Sequence, residues 1–224
     1  MNNLAPGAYP SSTPEPSRVH STDPEREASD REDAGWAQAV VGGDVESFDK
    51  LYLKYRDRVF AVILRVVHHR EDALEGSQEV FAKVYRALSS FDPATRFYTW
   101  LYRIAMNQSI DLLRRRRVRR EQSFEPELTS STERRRHAGP EREMEAAEVR
   151  SRLAAALAEL AEKHRQVFVL YSQENMNYND IAAILNIPIG TVMSRLFYAR
   201  RKLREALPQD WDPGGRRSHE SREE

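Results

Sequence analysis

Asn177-Tyr178-Asn179-Asp180-Ile181-Ala182-Ala183-Ile184-Leu185-Asn186-Ile187-Pro188-Ile189-Gly190-Thr191-Val192-Met193-Ser194-Arg195-Leu196 is the stretch on which the fold turns. Asn177 is a helix cap, and Asp180 three residues on completes a capping-box pattern. Ile181, Ala182, Ile184 and Leu185 form one short apolar face. Asn186 tolerates the left-handed conformation that turns a chain, and Pro188 suits the first turn of a new helix. Val192, Leu196, Ala199 and Leu203 then recur at helical spacing, while Thr191, Ser194, Arg195, Tyr198 and Arg201 project from the other side. A short helix, a tight turn and a longer polar, cationic helix make a helix-turn-helix pattern. The competing reading is an ordinary helical hairpin.

Outward from this stretch the chain divides by composition. Helical periodicity predicts a domain over 144–207 with four helices, ended by Pro208, and a polar tail over 208–224. Residues 121–143 are rich in Ser, Thr, Glu, Pro and Gly and read as a flexible linker. Residues 33–120 form a second helical domain. Gly42-Gly43 breaks a short helix, Asp44 caps the next, and Phe48, Leu51, Tyr52, Tyr55, Val59, Val62, Ile63, Val66 and Val67 supply its stripe. A helix over about 72–88 turns Val80, Phe81, Val84, Tyr85 and Leu88 inward. Asp92-Pro93 marks a turn. A last helix over about 97–120 is expected to bury Trp100, Leu101, Ile104, Ala105, Ile110 and Leu113. Residues 1–32 carry few large apolar groups and read as a disordered tail. The expectation is an all-α protein of two helical domains joined by a flexible linker.

The formal net charge of zero, from 35 Lys and Arg against 35 Asp and Glu, conceals two cationic helices. Arg96 to Arg120 holds eight arginines and one acid, Asp111; Pro188 to Arg204 holds five basic residues and none. One basic run is usually a solvated face, but two on defined helices fit phosphate binding. In the first, Phe97, Tyr98, Trp100 and Tyr102 are interleaved with the arginines, a composition suited to unstacked bases, though Phe97 and Trp100 also fit a core.

These residues resemble a known family, the extracytoplasmic-function sigma factors of bacterial RNA polymerase. Phe97-Tyr98-Thr99-Trp100-Leu101-Tyr102-Arg103-Ile104-Ala105-Met106-Asn107 resembles their promoter-melting region. Asp72-Ala73-Leu74-Glu75-Gly76-Ser77-Gln78-Glu79-Val80-Phe81 resembles their core-binding helix. Ile187 to Leu196 resembles their helix for the minus-thirty-five element, and Glu162-Lys163-His164-Arg165-Gln166-Val167-Phe168 the helix leading into it. The resemblance implies a sigma-two and a sigma-four domain. It assigns Asp72, Glu75, Gln78, Glu79, Phe81 and Tyr85 to polymerase binding. It assigns Phe91, Arg96, Tyr98, Trp100, Arg103, Asn107, Asp111, Arg114 and Arg115 to the melted minus-ten element. Thr191, Met193, Ser194, Arg195, Phe197, Tyr198, Arg200 and Arg201 fall to the minus-thirty-five element, with Arg195 and Arg200 on the DNA backbone or in intradomain pairs. The implied partners are the polymerase core, through its largest and second-largest subunits, promoter DNA as duplex and melted non-template strand, and a cognate anti-sigma factor. The acidic linker, with eight acids against five bases from Glu121 to Arg150, fits either a nucleic-acid mimic or a plain tether.

Four positions depart from the family pattern. Gly76 and Ser77 stand where apolar residues are usual, and a helix-interior glycine costs about 1 kcal/mol relative to alanine. Met193 and Tyr198 stand where basic residues are common, so the promoter preference of relatives does not carry over. The alternative is a helix-turn-helix regulator of duplex DNA acting without polymerase; it leaves 33–120 unexplained. An enzyme is not expected: no P-loop, nucleophile elbow or paired-carboxylate site occurs, and His68-His69, His137 and His164 lack ligand spacing, so no catalytic residue, metal or cofactor is assigned. The absence of cysteine excludes disulfides and fits a reducing compartment. With no apolar run of membrane length and no secretory leader, the expected location is the cytoplasm, without membrane insertion.

Overall fold

The computed structural model describes residues 24–122, 151–174 and 176–206. The first part holds α1 (Pro24–Val41), α2 (Glu46–Val67), α3 (Arg70–Ala87), a 3-10 turn at Leu88–Ser90 and α4 (Phe97–Gln122). The second holds α5, described over 151–159, then α6 (Glu162–Gln173), α7 (Tyr178–Leu185) and α8 (Ile189–Ala206). No strand occurs among the described residues.

Local chemistry sets the helix ends. Gly43, at φ 101°, closes α1, and the Asp44 carboxylate accepts from the Glu46 amide (3.1 Å) and the Ser47 hydroxyl (2.7 Å) at the start of α2. Val59, Val62, Ile63 and Val66 of α2 are fully buried. His68 ends α2 in the left-handed region at φ 57°, and His69 Nδ1 accepts from the Asp72 amide to cap α3. Asn177 accepts from the Asp180 amide (2.8 Å), and Asn186 ends α7 at φ 51°. The Pro188 carbonyl receives the Thr191 and Val192 amides, so Pro188 sits just before α8 rather than inside its first turn. The α7 and α8 axes meet at 103°, within the range of helix-turn-helix units.

Three expectations are corrected and one, at Gly76, is explained. Residues 24–32, read as tail, are helical and belong to α1. Ion pairs rather than apolar burial hold them. Arg26, Asp30 and Asp33 recur at four- and three-residue steps on one face. Asp33, wholly buried, accepts from Lys54 Nζ and the Tyr55 hydroxyl, both at 2.5 Å. Residues 1–23, 123–150 and 207–224 lie outside the described residues, and with them most of the tails, most of the linker expected over 121–143 and the start of the domain expected from 144.

Second, α4 buries more than one stripe. Leu101, Ala105, Gln108 and Leu112 face α2 and α3, but Tyr98, Tyr102, Met106 and Ser109 are buried too, while Trp100, Ile104, Ile110 and Leu113 are only partly covered. The reason is that α4 packs on α2 and α3 and also on α7, and α6 packs on α2. The two domains are docked against each other, a contact that no local pattern encodes.

Third, Gly76 has a packing role. A Cβ there would lie 2.6 Å from Leu112 Cδ1, so the missing side chain admits α4 close to α3. Ser77, beside it, returns its hydroxyl to the Leu74 carbonyl (2.8 Å).

Fourth, Tyr52 and Tyr85, read as inward-facing, are 39% and 47% exposed; they lie edge-on against Phe81 and Phe48 respectively, ring centroids 4.9 Å apart.

Candidate nucleic-acid interface

The helix-turn-helix presents its second helix outward. Val192, Leu196, Ala199 and Leu203 anchor α8 in the core. On the other side Phe197 is 62% exposed and Tyr198 46%. Thr191, Met193 and Arg195 are half-buried, and the Ser194 hydroxyl is turned to the Thr191 carbonyl (3.1 Å). Tyr198 has two neighbours at its ring: His164 stacks at 5.7 Å, and the Arg201 guanidinium lies 5.2 Å from its centroid. Burial lowers the His164 pKa, and Lys163 and Arg195 lower it further, so the ring is a neutral stacking partner at neutral pH. Arg200 points the other way, 4.7 Å over Tyr171. Of its two expected roles it takes the intradomain one. Arg201 and Lys202 also reach Glu205, at 4.0 and 3.1 Å, in exposed pairs that stabilise little.

The α4 surface differs. Asn107, Arg114 and Arg115 are exposed and Asp111 half-exposed, with Asp111 3.8 Å from Arg114. The aromatic start of the helix is covered. Phe91, Phe97 and Trp100 form a triangle of rings 5.4–5.8 Å apart, so Phe91 belongs to the core rather than to an exposed loop. Tyr98 is 7% exposed and donates a short hydrogen bond to the Asp180 carboxylate of α7. Asp180 does not reach back to its own helix start, as a capping box requires; only its amide is used there. Its carboxylate also receives Arg26 Nη2 (3.0 Å) and Arg96 Nη1 (3.4 Å). Arg26 donates to the Tyr98 hydroxyl as well (2.6 Å), and Asp30 pairs with Arg96 (3.3 Å). Arg103 Nη2 donates to the Ala183 carbonyl (3.0 Å). Burial is the largest cause raising the Tyr98 pKa, followed by Asp180, so the phenol stays a donor. A second bridge joins α2 to the end of α6: Arg58 lies 2.6 Å from Glu174 Oε2. Burial first, then Glu174, drives the Tyr102 pKa far up.

The α3 residues assigned to polymerase divide into two sets. Glu75, Gln78 and Tyr85 are exposed, whereas Phe81 is buried. Asp72 and Glu79 face α4. Asp72 lies 3.5 Å from His69 and 4.0 Å from Arg116. Glu79 accepts a short hydrogen bond from buried Gln108, which in turn accepts from Lys83 (2.5 Å), and stands 3.9 Å from Arg115. On the same two helices Leu53 of α2 and Leu74 of α3 are 59% and 54% exposed, neither singled out from the sequence. Arg26, Asp30, Arg58 and Glu174 were likewise missed. The i, i+4, i+7 spacing of Arg26, Asp30 and Asp33 was the available signal; nothing local marks Arg58 or Glu174.

Comparison with known proteins fits this layout. Residues 51–119 match Sigma-70 region 2, and residues 156–205 match Sigma-70, region 4. The chain is 36% identical over 181 residues to the RNA polymerase sigma-H factor of Pseudomonas aeruginosa, covering 79% of this chain and 94% of that protein. It is 34% identical over 171 residues to the ECF RNA polymerase sigma-E factor of Escherichia coli K12, with coverage of 74% and 89%. Among solved structures it resembles CnrH in complex with the cytosolic domain of CnrY, with a TM-score of 0.59, 26% identity, and coverage of 80% of this chain and 99% of that one. It shares the fold of RpoE from Bartonella quintana, solved with the anti-sigma factor NepR, with a TM-score of 0.62, 22% identity, and coverage of 72% and 96%.

Proposed function

The chain belongs to the sigma-70 family, among the extracytoplasmic-function sigma factors of bacterial RNA polymerase, and from that premise we propose how its surfaces divide the work of initiation. It is a sigma factor that binds RNA polymerase core and directs initiation at promoter DNA. The bond-making chemistry belongs to the polymerase, and the chain acts in the cytoplasm where polymerase works. No single helix among the described residues is long and apolar enough to cross a membrane.

The observation that carries the polymerase assignment is the exposed face shared by α2 and α3. Tyr52, Leu53, Leu74 and Tyr85 stand there beside Glu75 and Gln78. Apolar groups of this size in solvent mark an interface, and Glu75 gives it register toward a basic partner. A regulator of duplex DNA alone has no use for it. Asp72 and Glu79 act from behind, fixing α3 on α4.

In region 2, Asn107 reads an extruded base of the minus-ten element and Arg103, Arg114 and Arg115 hold the strand, with Asp111 ordering Arg114. Opening costs unpairing and unstacking, which a pocket for one base and stacking partners offset. In region 4, the start of α8 enters the major groove. Thr191, Met193, Ser194 and Arg195 meet base edges and phosphates, Phe197 and Tyr198 supply apolar contact, and Arg201 holds backbone. An anti-sigma partner belongs to the same reading and would compete with core for the α2–α3 face.

Run-off transcription with purified core is the test. Wild-type chain should give promoter-specific transcripts that core alone does not. Glu75→Lys should weaken core association while the chain stays helical. Glu79→Lys is the poorer probe because it also breaks the Gln108 and Arg115 contacts. Asn107→Ala should reduce open-complex formation more than closed-complex binding. Unchanged assembly with Glu75→Lys, or equal loss of both complexes with Asn107→Ala, removes the corresponding assignment.

A further inference from the structure

We propose that Arg26, Arg96 and Tyr98 form a phosphate-binding site for the melted strand, and that Asp180 occupies it as an internal competitor whenever the two domains are docked. This rests on the region 2 assignment above and extends it to a residue outside the matched region, Arg26, and to the state of the free chain.

Three donors converge on one carboxylate. The Tyr98 hydroxyl and Arg26 Nη2 meet Asp180 Oδ2, and Arg96 Nη1 meets Oδ1. Asp180 is a buried acid of the helix-turn-helix. It is held by residues of the other domain, because its own helix start is already capped by Asn177. Two guanidiniums and a hydroxyl around an anion are the donor set that binds a phosphodiester oxygen pair. The charges support exchange of one anion for another. With Asp180 present, Arg26 and Arg96 balance Asp30 and Asp180. With Asp180 gone, one positive charge is left over, beside the exposed arginines of the same helix.

The site is prebuilt on the region 2 side. Arg26 and Asp30 lie on the α1 face that Asp33 pins to Lys54 and Tyr55 of α2. Asp30 also holds Arg96, at 3.3 Å from its Nε. Docking also gives Arg103 the Ala183 carbonyl, a neutral acceptor it would leave for a strand phosphate. Undocking therefore frees three arginines together, and the free chain binds single-stranded DNA weakly until polymerase separates the domains.

The test uses the full chain and a fluorescein-labelled, mixed-sequence 20-nucleotide single strand, read by anisotropy at low salt. Asp180→Asn removes the charge and keeps the amide that Asn177 caps. It should tighten binding about tenfold, in the range of ordinary couplings between sites. Adding Arg26→Ala should return affinity to near that of the wild type. Asp180→Ser serves as a second neutral variant, with helix content checked by circular dichroism. Unchanged affinity in folded Asp180→Asn and Asp180→Ser chains overturns the proposal. A double variant as tight as Asp180→Asn also overturns it, because Arg26 would then not belong to the site. Run-off transcription by wild-type holoenzyme separates the two levels: promoter-specific transcripts with no effect of Asp180→Asn sink only this inference, whereas their absence sinks the reading beneath it.

Discussion

The two basic helices look alike as sequence and differ as surface. Both α4 and α8 carry clustered arginine on a helix anchored by buried apolar residues. On α8 the aromatic residues stand in solvent, Phe197 and Tyr198 among the more exposed apolar side chains of the chain. On α4 the equivalent aromatic, Tyr98, lies under α7 with its hydroxyl on Asp180. Composition sets what a helix can bind. What it is free to bind is set by a docking contact between residues 82 positions apart in the chain. On the reading proposed above, region 4 is ready for duplex DNA in the free protein, whereas region 2 needs the domains to part before it can take a single strand. That order suits initiation, in which duplex contact precedes melting.

Removing the anchor of α1 should break the comparison most severely. Asp33→Ala leaves the buried Tyr55 hydroxyl without its acceptor and takes from Lys54 one of three partners, Ser29 and Glu32 remaining, and losing the two hydrogen bonds together costs about 3 kcal/mol. Urea unfolding should show that loss. The same variant should lower the affinity for single strands conferred by Asp180→Asn, because Arg26 loses its platform. Region 4, which does not touch α1 through Asp33, should keep its duplex affinity.

The other helix is probed at Met193. An arginine there offers a guanine contact that methionine lacks, and one good bidentate contact is worth about 1–3 kcal/mol of discrimination. Binding-site selection with Met193→Arg should shift the minus-thirty-five preference, whereas Arg201→Ala should weaken all sequences alike and flatten the salt dependence. An unchanged preference with Met193→Arg would show that residue 193 reads no base.

Acidification should sharpen the comparison more gently. His68 ends α2 against the Leu157 main chain of region 4 and is pushed down to about 4 from 6.5, by burial first and then by Arg165 and Arg116. The docked state therefore prefers the neutral ring. Its contribution is full above pH 6.5 and fades as pH falls toward 4, since the undocked ring takes a proton first. Asp30, whose pKa burial raises, works in the opposite sense as it protonates. Docking should weaken between pH 7 and 5 in the wild type and lose most of that dependence in His68→Asn, as read by the rate of limited proteolysis across the domain junction.

The smallest effect is expected at Gly76. Alanine there gains about 1 kcal/mol of helix propensity. Against this stands the displacement of Leu112 Cδ1, an overpacking cost of about 1–3 kcal/mol that a flexible side-chain end keeps near the lower figure. Thermal unfolding of Gly76→Ala should move by only a few degrees, and neither DNA surface should change.

Much of the fold was legible because its signals are local. Asn177, Asn186, Gly43 and Asp44 announce helix ends through their own side chains or their tolerance of positive φ, and the stripes of α2 and α8 read at 3.6-residue spacing. The recognition helix was legible for the same reason. The α4 face was not, since a helix buried on several sides shows no single stripe: Tyr98, Tyr102 and Met106 read as surplus to the core until α7 is placed over them. The start of α1 was hidden differently. A helix fixed by Arg26, Asp30 and Asp33 has the composition of a disordered tail, and only the spacing of its charges tells them apart. The second contacts of Glu79 and Asp72, with buried Gln108 and half-buried Arg116, were not legible because those partners lie a helix away.

The measurement that bears most directly on the docked free state is a distance between the domains, and a chain without cysteine allows clean labelling. Spin labels at Arg86→Cys on α3 and Lys202→Cys on α8 report it by pulsed electron resonance. The account predicts one narrow, short distance in the free chain and a longer one once core is added. A free chain that already shows the distance found in holoenzyme, or a broad distribution unaffected by core, would contradict it.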